Sequence, residues 1–400
     1  MALDLDKTAA QLGRLTASLR QRGDVKADAL AQALTALREA DPEAVEARRA
    51  GGRVTWLVAG VEESLRDAFA APSLPDDYLA LSVDGSHVDV DRHSPARCYL
   101  INIGSAALRY GARSGAALRS APTLYARDEE LALADPAAAR DMAVEGPLLG
   151  MVRAVAEVEA LADLVEASPP DAPTVALLDG TLVLWGLAGQ GYPEFVRRRL
   201  LEDGLLPALD RLRSAAKGRT LAVASYISLP RSTEVMNALR LHVCPYERVD
   251  CDAHCGALRS GTRPCDAVGG LTDGELAAAA LRPGERSAVF RSNSGVVSER
   301  YGPHAVRFFY LNVGEEVARV ETPEWTARDP EALALLHAAL LSQADKGHGY
   351  PAALQEAHEQ AVISGRDREG FALLVEQAMT AEGLPTATSQ KARSKRTRWV

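Results

Sequence analysis

Two aspartates in this chain stand where a short apolar run gives way to glycine and then to a hydroxyl residue. Asp84 ends the run LALSV and is followed by Gly85 and Ser86; Asp179 ends the run TVALL and is followed by Gly180 and Thr181. Each run has the length and composition of a buried strand. A carboxylate at the end of such a strand is held rigidly yet reaches solvent. That suits a hard divalent cation, which takes oxygen ligands at fixed short distances. If the two strands lie side by side, both carboxylates meet at one edge and can share one or two ions. Such ions activate a water, stabilise a leaving oxygen and orient a phosphodiester for in-line displacement. The plainer reading is a pair of unrelated Asp-Gly turns.

A third acid would complete such a site, and a long helix expected before Asp179 offers Glu157 and Glu159. At 100° per residue its strongest apolar stripe is Met151, Val155, Val158, Ala162 and Val165. Glu159 borders that stripe and Glu157 lies beside Leu161 and Leu164, so periodicity leaves both open. The alternative for either is a solvated helix charge, with Arg153 as the i,i+4 partner of Glu157.

The elements that must position these acids are those of an α/β protein. Three early strands are expected, at Leu79 to Val83, Cys98 to Ile103 and Ala106 to Tyr110, with another near Thr123. A helix from about Asp135 to Ala167 leads to the Asp179 strand. A helix from about Pro193 to Lys217, a strand from Thr220 to Ala224 and a helix from Ser232 follow. Strands that begin together and then alternate with helices imply a mixed sheet flanked by helices. Late strands are expected at Ala288 to Phe290 and Arg307 to Val313. Helices are expected from Pro330 to Gln343, across Glu356 and His358, and from Asp367 to Glu382.

Ahead of this core, residues 1–75 read as a helical segment. Leucines from Leu3 to Leu37 recur at helical spacing, and Gly23 with Asp24 divides them into two helices; a further helix is expected at Val61 to Ala70. The core is assigned to residues 76–384, with a cysteine-rich insert at 244–270. Residues 385–400 carry Lys391, Arg393, Lys395, Arg396 and Arg398 with no acid and no apolar period, and read as a disordered basic tail.

Composition sets the class. At 47% hydrophobic and 25% charged, 400 residues are ample for a large soluble core. No run of eighteen apolar residues occurs, and the N-terminus lacks a basic segment followed by an apolar one. Neither a membrane span nor an export signal is expected, which places the protein in the cytoplasm. A net charge of -9 argues against indiscriminate nucleic-acid binding and leaves room for a local basic groove.

The blocks VDGSHVDVDRH, LLDGTLVLW and KGHGYPAALQEAHE together resemble the NurA nuclease family, from about Asp77 to Glu359. The resemblance implies an RNase H-like core and a manganese-dependent (Mn2+) acidic site that cuts DNA, with Mg2+ as the substitute ion. It implies work beside the hexameric translocase HerA in preparing DNA ends for recombination, and a homodimer whose subunits surround a DNA channel. Asp84 and Asp179 become metal-binding catalytic acids. Glu157 is chosen over Glu159 because RAVAE, ending at Glu157, resembles the family's helix block. Tyr350 and His358 are implied to enter the site from the C-terminal region. Physically, such a His can assist proton transfer or contact a phosphate, and a Tyr hydroxyl can orient a water. A helix-start packing pair is the alternative. Relatives often carry a Lys after the strand LAVAS, where this chain has none, and Arg231 or Ser228 is left to meet phosphate. Arg197, Arg198 and Arg199 could also meet a backbone, a solvated face being the commoner outcome.

Four of the five cysteines, Cys244, Cys251, Cys255 and Cys265, crowd into the insert as C-x6-C-x3-C-x9-C. Cytosolic thiols at that density ask for zinc or an iron–sulfur cluster before a disulfide. The remaining Cys98 is expected to lie within a strand as a small buried hydrophobe. Two readings follow: a metal-dependent DNA nuclease, with exonuclease or endonuclease action at DNA ends, and a NurA-like adaptor that binds a helicase or DNA end without cutting. Asp84, Asp179, Tyr350 and His358 favour the first; the missing Lys and the choice between Glu157 and Glu159 keep the second.

Overall fold

A computed structural model describes residues 4–90, 96–189 and 191–384. The basic tail therefore lies outside the described residues, including Lys391, Arg393, Lys395, Arg396 and Arg398. The chain forms two compact units. The first comprises residues 1–71, 227–294 and 307–320; the second comprises 72–226, 295–306 and the remainder from 321. The N-terminal segment thus shares a unit with the cysteine-rich insert, a grouping of distant stretches that sequence order alone does not disclose.

The second unit is built on β1 (Tyr78–Val88), β2 (Tyr99–Tyr110), β3 (Gly115–Tyr125), β4 (Thr174–Asp179) and β5 (Leu221–Ile227). They lie in the order β5-β4-β1-β2-β3. The first three form an antiparallel meander, while β4 and β5 run parallel to β1. Three antiparallel strands followed by two parallel ones beside the first is the RNase H-like arrangement. The expected strands at Cys98 and Ala106 are one strand, which passes through Gly104 without a break, and Cys98 sits half-buried just before it.

Alternation along β1 assigns its two faces. Leu79, Leu81 and Val83 join one apolar cluster with Met151, Val155, Val158 and Leu161 of α1 (Pro147–Ala167). On the opposite face, Ser82 Oγ donates to the Ala353 carbonyl at 2.5 Å, and Ser86 Oγ donates to the Ala361 carbonyl at 2.5 Å. Both acceptors belong to a helix near the end of the chain, so each face of β1 carries a helix. Helix α1 begins at Pro147, twelve residues after the expected start. Residues 132–134 and 141–143 pair instead as a short antiparallel ribbon. Gly146 at φ +54° and Pro at the first helical position set the true start.

After β4, α2 (Glu194–Leu200) and α3 (Leu206–Ala215) are separated by a π-helical turn over Leu201–Leu205. The unit is completed by α4 (Pro330–Lys346), α5 (Ala352–Ala361) and α6 (Gly365–Ala381). Helix α5 packs across β1, β2 and β3.

In the first unit, a single helix, Leu5–Glu39, replaces the expected pair and runs through Gly23. Pro42–Gly51 forms a second helix. The helix expected at Val61 to Ala70 is absent: Gly60–Val61 pairs with Phe290–Arg291, and Ala68–Phe69 with Arg286–Ser287. Long-range pairing outweighs local propensity there. A strand missed in the sequence, Val317–Pro323, follows Val306–Asn312. The insert holds a one-turn helix, Cys251–Cys255, and a 3-10 turn, Pro264–Val268.

Candidate active site

The parallel pairing of β1 with β4 ends at Val83↔Leu178, and Asp84 and Asp179 are the next residue on each strand. Asp179 ends β4, whereas β1, expected to stop before Asp84, runs on to Val88 because β2 pairs with it there. Asp84 accepts from the Gly85 backbone N–H at 2.8 Å. The Gly180 N–H donates to the Tyr226 carbonyl at 3.0 Å, which ties the turn after Asp179 to β5. Burial raises the Asp179 pKa and the charge of Asp84 raises it further, against the hydrogen bond from Tyr350.

Glu157 arrives from α1. It is buried, at 8% exposure, and its Oε1 has no hydrogen bond. Its carboxylate lies against Gly85: a β-carbon built there would stand 2.4 Å from Glu157 Oε1. Burial pushes the Glu157 pKa up to about 8; Arg153 opposes the rise, and the charges of Asp84 and Asp179 add to it. Arg153 pairs with Glu157 at 3.2 Å and donates to the Gly85 carbonyl, so it fastens the helix acid to the strand turn. Glu159 takes another direction. It is exposed and lines a cavity of about 390 Å³ with Tyr99, Tyr125 and Arg199.

Two C-terminal side chains complete the arrangement. Tyr350 donates to Asp179 Oδ1 at 2.8 Å, and His358 Nδ1 lies 2.7 Å from Asp84 Oδ2. Tyr350 stands edge-on to Tyr226 of β5, with ring centroids 5.4 Å apart. His358 reaches Asp84 because α5 packs closely on β2 at Gly104, the cross-strand partner of Asp84. A β-carbon at residue 104 would lie 2.2 Å from the Ala357 carbonyl oxygen. Sequence reading missed the roles of Gly104 and Tyr226. The signal available for Gly104 was a glycine interrupting a long apolar strand.

The other sequence candidates fall elsewhere. Arg231 is exposed in the first unit, and in that unit Ser228 Oγ donates to Glu316 at 2.5 Å. Arg197 pairs with Glu194 at 3.4 Å and Arg198 with Glu202 at 3.7 Å, as a solvated helix face does. Cys244, Cys251, Cys255 and Cys265 all belong to the first unit and form no disulfide.

The chemistry of the donors fits a hard divalent cation. Asp84, Asp179 and Glu157 supply carboxylate oxygens, and the buried Glu157 Oε1 has the Arg153 ion pair at 3.2 Å but no hydrogen bond, a setting poor in donors that a cation would satisfy. A dication would favour the charged form of Glu157 and reverse the effect of burial. With Tyr350 and His358 engaging the two aspartates, no group of three or more His, Cys, Asp or Glu among the described residues is gathered to hold an ion. The acids are therefore at hand and would have to close on an ion as it binds.

Strand order and the acids on neighbouring parallel strands define an RNase H-like protein with an acidic site. The NurA domain matches residues 79–363, and the chain belongs to the NurA family, a family of nucleases. Among solved structures it is similar to a crystal structure of NurA, at 13% identity and TM-score 0.36, over 76% of this chain and 90% of that one. It is also similar to a crystal structure of NurA with manganese, at 14% identity and TM-score 0.38, over 92% and 98% of the two chains. A third likeness is to LC9-RNase H1, a type 1 RNase H with the type 2 active-site motif, at 10% identity and TM-score 0.22, over 42% and 72%. The family assignment rests on the domain match, because similarity at these TM-scores is too slight to bear it. No curated protein matches the sequence significantly. Among the described residues, no helix is long and apolar enough to cross a membrane.

Proposed function

We propose that this protein is a divalent-metal-dependent deoxyribonuclease that hydrolyses phosphodiesters at DNA ends. One observation carries the reading: Asp84 follows the last residue of β1 that pairs with β4, Asp179 is the last residue of β4, and a buried Glu157 is brought against Gly85 beside them. Asp84, Asp179 and Glu157 would hold the metal. A bound divalent ion supplies Lewis-acid activation of water and neutralises charge on the phosphate. Manganese is the first choice, since one similar NurA structure is described as containing it; Mg2+ is the substitute.

The chain's own residues set the geometry around that ion. Tyr350 fixes the rotamer of Asp179 through its hydroxyl, and Tyr226 packs against the Tyr350 ring. His358 holds Asp84 and, being more than half exposed, can turn to a phosphate or exchange a proton with solvent. Arg153 keeps Glu157 against the strand. Family membership supports three finer proposals: action in DNA end processing for recombinational repair, partnership with a HerA-type hexameric ATPase, and a homodimeric state.

The test is cleavage of labelled single- and double-stranded DNA with manganese, magnesium or EDTA. Products are expected with manganese and should vanish in EDTA and in Asp84→Ala. Cleavage that persists in either, or no cleavage with any ion, overturns the proposal; the second result would leave a DNA-binding adaptor.

A further inference from the structure

The cysteine quartet is not used by the nuclease chemistry, yet it is the densest group of metal-ligating side chains outside the acids. Its four members come from three short elements of the first unit. Cys244 follows the helix Glu234–His242; Cys251 and Cys255 open and close a one-turn helix; Cys265 lies in the turn Pro264–Val268. A spacing of four residues turns Cys251 and Cys255 to the same side of their helix. Cys255 and Cys265 are buried, while Cys244 and Cys251 are half-buried against the same apolar cluster.

The surrounding backbone is anchored at both ends. The Arg53 N–H donates to the Val249 carbonyl and the Cys251 N–H to the Arg53 carbonyl, each at 2.9 Å. Arg48 Nη1 donates to the carbonyls of Leu241 and Cys244 at 2.7 and 2.8 Å. At the other end, Arg240 ion-pairs with Asp266, donates to Cys265 Sγ at 3.6 Å, and lies 3.8 Å from the Trp56 ring centre. Between the anchors the segment has little core of its own; Leu258, its large aliphatic residue, is exposed. Burial raises the Cys255 thiol pKa, and Cys265, Cys251 and Cys244 all stand near enough to raise it further. His254 is stacked on Tyr246 at 4.1 Å, which leaves the thiols as the natural donors.

We infer that Cys244, Cys251, Cys255 and Cys265 hold a thiolate-bound metal centre that fastens the insert to the body of the first unit. Zinc and iron–sulfur clusters share this ligand chemistry. As with the carboxylates, the thiols are not yet gathered around an ion among the described residues. Cys255 and Cys265 are buried, and ligation would draw the half-buried Cys244 and Cys251 onto them. Ligation releases the thiol protons to solvent and makes binding free energy part of folding free energy.

The experiment uses the full chain purified without oxygen, analysed for zinc, iron and acid-labile sulfide, with a visible spectrum and a thiol titration. Either about one zinc, or about two to four irons with matching sulfide and visible absorption, is expected per chain. About four thiols should stay unreactive until the metal is removed. Cys265→Ser should lose the metal, whereas Cys98→Ser should keep it. If Cys265→Ser fails to fold, the wild-type metal count decides alone. Absence of stoichiometric metal overturns the inference whatever the thiol count, since Cys255 and Cys265 are buried in any case. Asp84→Asn should keep the metal even if it abolishes cleavage, so this result and the nuclease result fail independently.

Discussion

Gly85 and Glu157 occupy one space: the hydrogen at residue 85, where other residues carry a side chain, leaves the gap that the Glu157 carboxylate fills. Gly85 belongs to an extended strand and its φ is not positive, so alanine is permitted there by the backbone and opposed by side chains, Glu157 first and Arg153 Cγ, at 3.1 Å, after it. Gly85→Ala should therefore fold, displace Glu157 and lower cleavage by about 10²-fold, the usual cost of misplacing a catalytic group by about 1 Å. Steady-state rates and a circular dichroism spectrum check both halves; unchanged kcat would show that Glu157 need not lie where it does.

Asp84→Asn and Asp179→Asn should each abolish metal-dependent cleavage while leaving the melting temperature nearly intact. Asp84 lies within β1 and Asp179 ends β4, neither joins the apolar core, and burial already disfavours the charge on Asp179. Cleavage by either variant at near the wild-type rate would remove that residue from the site.

Metal-free stability should depend on pH through Glu157. Its pKa is raised by burial from the ordinary 4.5 to about 8. The folded chain thus keeps a proton that the unfolded chain has lost between those values. The stabilisation is complete below about pH 4.5 and declines as pH rises towards 8, by up to about 1.4 kcal/mol per pH unit. In EDTA, Glu157→Gln should flatten this decline and melt higher than wild type at pH 8. Parallel pH profiles for the two proteins would refute the assignment.

Tyr350→Phe removes the hydroxyl that donates to Asp179 and lowers its pKa. The variant should bind manganese more weakly than wild type, with a deficit that is larger at the lower of two pH values, because the hydroxyl no longer offsets the rise that burial gives Asp179. Titration calorimetry at two pH values reads this directly; equal affinity for wild type and variant at both would contradict it.

Five basic residues lie between Lys391 and Arg398 with no acid among them. Removing residues 386–400 should weaken DNA binding at low salt and flatten its salt dependence, because fewer counterions are released. The rate at saturating DNA should stay the same. Identical affinity and salt slope after truncation would assign the tail another task.

The strands bearing Asp84 and Asp179 were legible because buried parallel strands are unbroken apolar runs. Asp-Gly marks the end of β4, but β1 runs through Asp84 and Gly85 to Val88 because β2 pairs with it along that whole length. The choice of Glu157 over Glu159 was not legible from helical period. It depends on which helix face meets Gly85, and the sheet decides that. The stretch before Pro147 looked helical in composition, but Ala132–Ala134 and Asp141–Ala143 gain more from pairing with each other. Val317–Pro323 was hidden for a different reason. It buries Arg319 and Glu321, so the apolar alternation that announces a strand is missing. Arg319 pairs at 2.7 Å with Glu234, a partner far away in sequence, and its guanidinium lies 3.7 Å from the Phe308 ring centre. At Gly23 a helix runs on at a cost of about 1 kcal/mol relative to alanine, a penalty that a 35-residue helix absorbs.

The contact between His358 and Asp84 joins positions 274 residues apart. During synthesis, both aspartates leave the ribosome long before Tyr350 and His358 exist. Helix α5 must then find its seat at Gly104 before the aspartates are held. An enzyme that cuts DNA would on this plan be harmless as an unfinished chain, and premature termination anywhere before the last helices would yield an inert fragment rather than a stray nuclease.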